Sequence, residues 1–321
     1  MTENITLPPA RSLIERASQV YGLREAMRQS PAAIPTLADK PEPAPHVVPA
    51  QESGAHSAQA TPRVAVSAVP PAPRTYAGPV AQIDLAALRE AGFVVPGAPP
   101  NSLSEEYRII KRQLLINALG GRNSAPLDKG RLVLICSAQP NEGKTFSSVN
   151  LALSMASESD NEVLLVDADV AKPEVLSTLG ISGGAGLMDA VADPTIDPET
   201  LIIPTSVPGL SVLPAGRQIN NDTELLASAN GVALIDRLLN QSQRRVIIID
   251  SAPALAASPA SVLALHVGQI LLVVRADQTT EGELQDALGM LEGDAHIQLM
   301  INSVTYGGST RKFGYYYGYG E

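Results

Sequence analysis

Cysteine is nearly absent from this sequence, aromatic residues are few, and no long apolar run occurs. A single cysteine, Cys136, excludes a disulfide framework and a cysteine-built zinc site. It ends the apolar run Leu132-Val133-Leu134-Ile135-Cys136, which predicts a small buried hydrophobe rather than a nucleophile. No apolar stretch approaches the roughly 18 to 20 residues that a membrane helix needs. The N-terminus lacks the charged start and apolar centre of a signal peptide. A cytoplasmic protein is expected, with any attachment to the inner face of the membrane made through a partner. Basic residues are also in deficit. With 23 Lys and Arg against 33 Asp and Glu, the net charge is -10, which argues against nucleic acid as the main partner.

What is present is unevenly distributed. Of the 26 prolines, 16 lie in residues 1–100. Residues 30–81 are mostly Pro, Ala, Ser and Val, too poor in large apolar groups to offset their ordering entropy, so a disordered Pro/Ala-rich linker is expected there. Residues 1–29 hold a short amphipathic helix, Ser12 to Met27, with Ser12 placed as an N-cap. Residues 82–100 hold a similar helix from Gln82 to Ala91, ended by Gly92. Each suits docking on another protein, and each equally suits transient helix formation with no partner. From residue 101 to 303 the pattern is globular. A helix over Ser104–Leu119 comes first. Strands follow at Arg131–Cys136, Val163–Val166, Leu210–Leu213, Val246–Ile249, Ile270–Val274 and Gln298–Ile301. Helices are predicted at Thr145–Ser157, Thr223–Leu239, Pro259–His266 and Glu281–Leu291. Strands apolar on both faces and separated by helices predict an α/β domain, its mostly parallel sheet covered on both sides. Ligands of such sheets sit at the carboxyl ends of the strands.

The segment after the first strand reads Ser137-Ala138-Gln139-Pro140-Asn141-Glu142-Gly143-Lys144-Thr145, followed by Phe146 and a helix. This is the P-loop pattern with Ala138 in place of its first glycine. Backbone N–H groups and the positive end of the helix hold phosphates there. Gly143 allows a close turn, Lys144 reaches the β- and γ-phosphates, and the Thr145 hydroxyl can ligate Mg²⁺. The second strand ends in Asp167-Ala168-Asp169 and a later one in Asp250-Ser251-Ala252-Pro253. Carboxylates at these ends can hold Mg²⁺, or orient and deprotonate a nucleophile. Capping of helices or loops is the alternative for each aspartate alone. Residues 304–321 form a glycine-rich tail with five of the eight tyrosines, whereas no aromatic residue lies between Phe146 and Tyr306. Tyr315, Tyr316, Tyr317 and Tyr319 are candidate phosphoacceptors on glycine-flexible backbone, and a sticky tail with no acceptor role is the other reading.

Together these runs resemble the Walker A, A′ and B motifs of bacterial tyrosine kinases of exopolysaccharide synthesis, which have a P-loop NTPase fold. More narrowly the chain is similar to the exosortase-associated tyrosine autokinases. That match is carried by Glu105-Glu106-Tyr107-Arg108-Ile109-Ile110-Lys111-Arg112, Leu164–Asp169, Leu213-Pro214-Ala215-Gly216, Thr223–Ser228 and the tyrosine-rich end. The resemblance implies ATP in the loop from Ala138 to Phe146, with Lys144 on its phosphates. It puts Thr145, Asp167 and Asp250 around Mg²⁺, Asp167 and Asp169 at the attacking tyrosine, and Asn302 against adenine. It implies a ring-shaped homo-oligomer joined through Glu105, Arg108 and Lys111, a membrane chain-length (copolymerase-type) activator, and an opposing tyrosine phosphatase. The sequence departs from the family at Lys172, usually arginine, at Ala252, usually proline, and at Asn141, often glycine. Two other functions compete. A partition or septum-placement ATPase usually carries a second lysine where Gln139 stands, and lacks a tyrosine tail. A degenerate ATP-binding regulatory scaffold is kept open by the three departures.

Overall fold

In the computed structural model the described residues are 78–158 and 160–304. The Ser12 helix, most of the Pro/Ala-rich linker and the tail tyrosines lie outside them. Seven strands form one sheet: β1 (Leu132–Ser137), β2 (Glu162–Ala168), β3 (Ile203–Pro204), β4 (Leu210–Leu213), β5 (Arg245–Ser251), β6 (Gln269–Arg275) and β7 (His296–Asn302). Their order is β3-β4-β2-β5-β1-β6-β7. All neighbours are parallel except β3 and β4. Nine α-helices are found among the described residues: α1 (Leu85–Glu90), α2 (Ser102–Leu119), α3 (Lys144–Ala156), α4 (Val175–Leu179), α5 (Leu187–Ala192), α6 (Asp222–Ala227), α7 (Ala229–Asn240), α8 (Pro259–Ala264) and α9 (Glu281–Met290). None of them is long and apolar enough to cross a membrane.

The run that begins at Leu132 is apolar at every position because both sides of β1 are covered. Leu132, Leu134 and Cys136 pack into the core under α5, α7 and α8. Val133 and Ile135 point the other way, against α2, α3 and α4. Cys136 is fully buried, and burial pushes its thiol up to about 12. It is inert, as its setting in the run predicts.

Three features differ from the sequence reading. The helix predicted over Thr223–Leu239 is two helices, broken at Ser228. That residue turns extended, and its hydroxyl donates to the Leu225 carbonyl at 2.6 Å and caps α7 through the Gly231 amide. The break admits a close crossing in which a Cβ on Gly231 would collide with the Leu226 carbonyl. The short helices α4 and α5 and the antiparallel edge strand β3 were not foreseen. Finally, the folded unit begins before residue 101. Ala81 exchanges backbone hydrogen bonds with Pro204 and Ser206 at 2.8 Å each, and Ile83, Leu88 and Val94 are buried in the core.

Helix α2 lies on α3 and buries Tyr107 and Leu114. Glu105 and Arg108 pair along the helix at 2.8 Å, with Arg108 exposed. Lys111 does not share their face. It is buried, and its Nζ donates to the Ser154 carbonyl at 2.8 Å and pairs with Glu158 at 3.0 Å, satisfying the C-terminal end of α3. The reason is geometric. Residues i and i+6 on an α-helix stand about 120° apart around the axis, so a three-residue repeat drifts off any one face.

Candidate active site

The P-loop connects β1 to α3. Its backbone enters the left-handed region at Asn141, φ 66°, and Gly143, φ 96°. Asparagine tolerates that region better than most residues, so Asn141 can take the shape that glycine gives the loop elsewhere. Gly143 is constrained further, because a Cβ there would collide with Asn302 Nδ2.

The loop is fastened from several directions. Glu142 is buried, and one of its carboxylate oxygens accepts from the Gln139 amide at 2.9 Å. The other accepts from the Thr279 hydroxyl, beyond β6. Arg275 donates to the Asn141 carbonyl at 2.9 Å, and the Gln139 side chain reaches Glu283 on α9 at 3.2 Å. Asn302, expected against adenine, donates through Nδ2 to the Glu142 carbonyl at 2.9 Å, and its Oδ1 accepts from the Ser303 amide. Its side chain braces the loop. Thr279 lies 137 positions from Glu142, a separation at which no local sequence pattern could have paired the two.

Lys144, at the start of α3, forms a buried ion pair with Asp169 at 2.8 Å. The second Asp169 oxygen accepts from the Lys172 amide at 3.1 Å. Asp167, like Asp250, has no exposed surface. Its oxygens accept from the backbone of Val175 at 3.1 Å and of Asp169 at 3.3 Å. Asp167 and Asp250 are direct neighbours on β2 and β5. Asp250 Oδ1 accepts from Ser148 at 2.9 Å, one helical turn beyond Lys144, a partner that helical spacing could have revealed. Lys172 is exposed and pairs with Glu174 at 2.9 Å, so the change from arginine falls on the rim. Lys144, Thr145 and Asp169 line a cavity of about 530 Å³ together with Phe93, Phe146, Ala252 and residues of α4. Neither Asp167 nor Asp250 lines it.

Burial of the carboxylates, more than their crowding, sets the electrostatics. Burial, then the charge of Asp250, push Asp167 up to about 7 against the pull of its two amide donors. Burial pushes Asp250 up to about 6, opposed by the Thr145 hydroxyl, the Lys144 charge and the Ser148 hydroxyl. Asp250 Oδ2 is a buried acceptor with no hydrogen-bond partner of standard geometry. That orphaned oxygen beside Thr145 suits a hydrated Mg²⁺, which takes one or two carboxylates plus phosphate oxygens and water. No group of three or more His, Cys, Asp or Glu suited to a metal occurs among the described residues.

A stability prediction follows. A carboxyl whose folded pKa lies above its ordinary value favours folding while protonated, and that contribution is lost as pH rises through the folded value. For Asp250 the window runs from the ordinary carboxylate value of 3.8 to about 6. Without nucleotide, Asp250→Asn should lie close to the wild type near pH 4 and exceed its melting temperature by about 6–12 °C near pH 7.5. Parallel melting curves across this range would refute the assignment.

No protein-family model matches the chain. It is 32% identical over 194 residues to EpsB of Ralstonia nicotianae, named provisionally as a tyrosine-protein kinase, covering 59% of this chain and 25% of EpsB. The chain thus spans about a quarter of the length of that relative. It is 28% identical to the tyrosine-protein kinase CpsD of Streptococcus agalactiae, covering 60% of this chain and 83% of CpsD. Among solved structures, the BceF tyrosine kinase domain superposes with a TM-score of 0.54 at 26% identity, over 70% of this chain and 92% of that domain. By sequence and by fold, the chain is similar to bacterial tyrosine-protein kinases.

Proposed function

We propose that the chain is an ATP-dependent protein-tyrosine kinase that phosphorylates its own C-terminal tyrosines, with a regulatory role in exopolysaccharide synthesis or export. The observation that carries this reading is the 2.8 Å pair between P-loop Lys144 and Asp169 in one cavity. A lysine that neutralises phosphate and a carboxylate that can take a phenol proton are thereby within reach of the same reacting atoms. ATP would draw Lys144 onto its β- and γ-phosphates and release Asp169 to act as base. The acceptor oxygen then attacks the γ-phosphorus, the bond to the bridging oxygen breaks, and the phenol proton passes to Asp169. Mg²⁺, held by Thr145 and Asp250, would supply charge neutralisation at the phosphates. Asp167, the strand neighbour of Asp250, would join it at the Mg²⁺, and its oxygens also hold the Asp169 backbone and the start of α4.

Tyr315, Tyr316, Tyr317 and Tyr319 are the proposed acceptors. The tail begins close after β7, and folding it back into its own cavity costs loop-closure entropy, whereas a neighbouring subunit receives it directly. Transfer between subunits of a ring is therefore favoured, with Glu105 and the exposed Arg108 as the contact and Lys111 as its internal brace. A membrane copolymerase-type activator and a tyrosine phosphatase complete the proposed cycle, which is cytoplasmic. The test mixes Lys144→Met protein bearing an intact tail with active protein whose tail tyrosines are all Phe, in ATP and Mg²⁺. Phosphotyrosine on the Lys144→Met chain is expected, and its loss when Glu105 and Arg108 are both Ala. No labelling at any protein concentration would sink transfer in trans.

A further inference from the structure

Phe93 and Phe146 meet with ring centroids 4.7 Å apart and planes inclined at 48°. Phe146 follows Thr145 in the first turn of α3. Phe93 arrives from outside the P-loop core, on the segment that begins at the sheet edge by Ser206. Beside it, the Val94 amide donates at 2.6 Å to the side chain of Asn150, one turn along α3 from Phe146. Asn150 in turn donates to the Phe146 carbonyl at 2.8 Å. The aromatic pair is thus held in place by buried polar contacts, and both rings line the cavity that contains Lys144 and Asp169. Across it stand Pro253 and the small residues Ala256 and Ala257.

The direction of the phosphate chain decides which reactant meets these rings. Lys144 marks the β,γ end, and the carboxylates beyond it stand at the ends of β2 and β5. The nucleoside end then points towards β6 and β7, on the other side of β1, where Arg275 and Asn302 stand. Neither residue lines the cavity, and every strand-end residue that does follows β1, β2 or β5. The aromatic wall is on the acceptor side of the γ-phosphate. We propose that Phe93, with Phe146, forms the binding wall for the ring of the incoming tyrosine, in the same cavity as Asp169. A phenol fits such a wall because tilted aromatic pairs are favoured beyond simple burial, while its polar tip needs a partner. Phe93 is a positioning residue whose role rests on the tyrosine-transfer reading.

The test uses the full chain with all tail tyrosines changed to Phe and a synthetic peptide of residues 311–321 as acceptor. Initial rates are measured against peptide concentration at saturating ATP, and ATP affinity is measured on the same preparations. Phe93→Ala should raise the peptide KM about ten-fold, with kcat and the ATP Kd each within about two-fold of the parent. Phe93→Leu, which keeps apolar volume and guards against loss of fold, should restore part of the KM and bind ATP normally. An ATP Kd that rises as far as the peptide KM would place adenine at these rings and overturn the proposal. An unchanged peptide KM in Phe93→Ala overturns it while leaving the kinase reading standing. A parent chain that phosphorylates neither peptide nor intact tail removes both.

Discussion

Replacing Lys144 by Met is expected to lower tyrosine transfer by at least about 10²–10³-fold, the cost of deleting one charge aimed at a reacting phosphate. It should also destabilise the protein. Lys144 and Asp169 are almost fully buried against each other. Removing one partner of a buried pair costs about 3–5 kcal/mol when the remaining charge stays uncompensated. Asp169 keeps one backbone donor, the Lys172 amide, so the loss should fall at the lower end of that range. The double variant Lys144→Met, Asp169→Asn should recover most of the lost melting temperature and none of the activity. Phosphotyrosine formation and thermal melting on the same preparations separate the two effects. Wild-type labelling by Lys144→Met would end the kinase reading, and a double variant no more stable than the single one would refute the buried-pair argument.

Gly143→Ala is the second change with a large expected effect. Its φ of 96° lies where an L side chain is strained by about 1–2 kcal/mol. The new methyl also enters the space of Asn302 Nδ2. Either the loop moves, or Asn302 swings out and the Glu142 carbonyl loses its donor, at roughly another 1–2 kcal/mol. Together these amount to about 3 kcal/mol, or about 100-fold weaker nucleotide binding, with secondary structure unchanged by circular dichroism. Adding Asn302→Ala removes the collision but not the backbone strain, so affinity should return only in part. Full recovery would mean that the φ penalty is negligible here. Unchanged ATP affinity in Gly143→Ala itself would mean that the phosphate loop does not need this conformation to bind.

Much of this architecture was legible in the linear sequence. Unbroken apolar runs ending in Ser137, Asp167 and Asp250 can exist only as strands covered on both faces, and such strands bring their carboxyl ends to one edge. The Gly143-Lys144-Thr145 turn between strand and helix identified the phosphate loop, since each residue type there answers a separate physical need. Local periodicity also located the main helices, because packing one face on a sheet imposes a repeat that the chain must carry.

What the sequence could not decide was which of two satisfactory partners each polar side chain would take. Lys111 reads as a surface charge beside Glu105 and Arg108, and only the packing of α2 on α3 turned it onto the Ser154 carbonyl and Glu158. The family resemblance set Asn302 against adenine, and only the fold, which brings the end of β7 onto the P-loop, committed it to the Glu142 carbonyl. Ser228 sits within a helical repeat that runs unbroken on both sides, and the break there depends on how closely α6 and α7 cross. Phe93 carried no local signal, because its partner Phe146 lies on the far side of α2 and β1 in the chain. Strand periodicity and loop chemistry are local, and they sufficed for the sheet, the phosphate loop and the carboxylates placed at it. The braces and the aromatic wall were decided by the fold, because burial and hydrogen bonding between segments 43 to 160 residues apart depend on which surfaces meet.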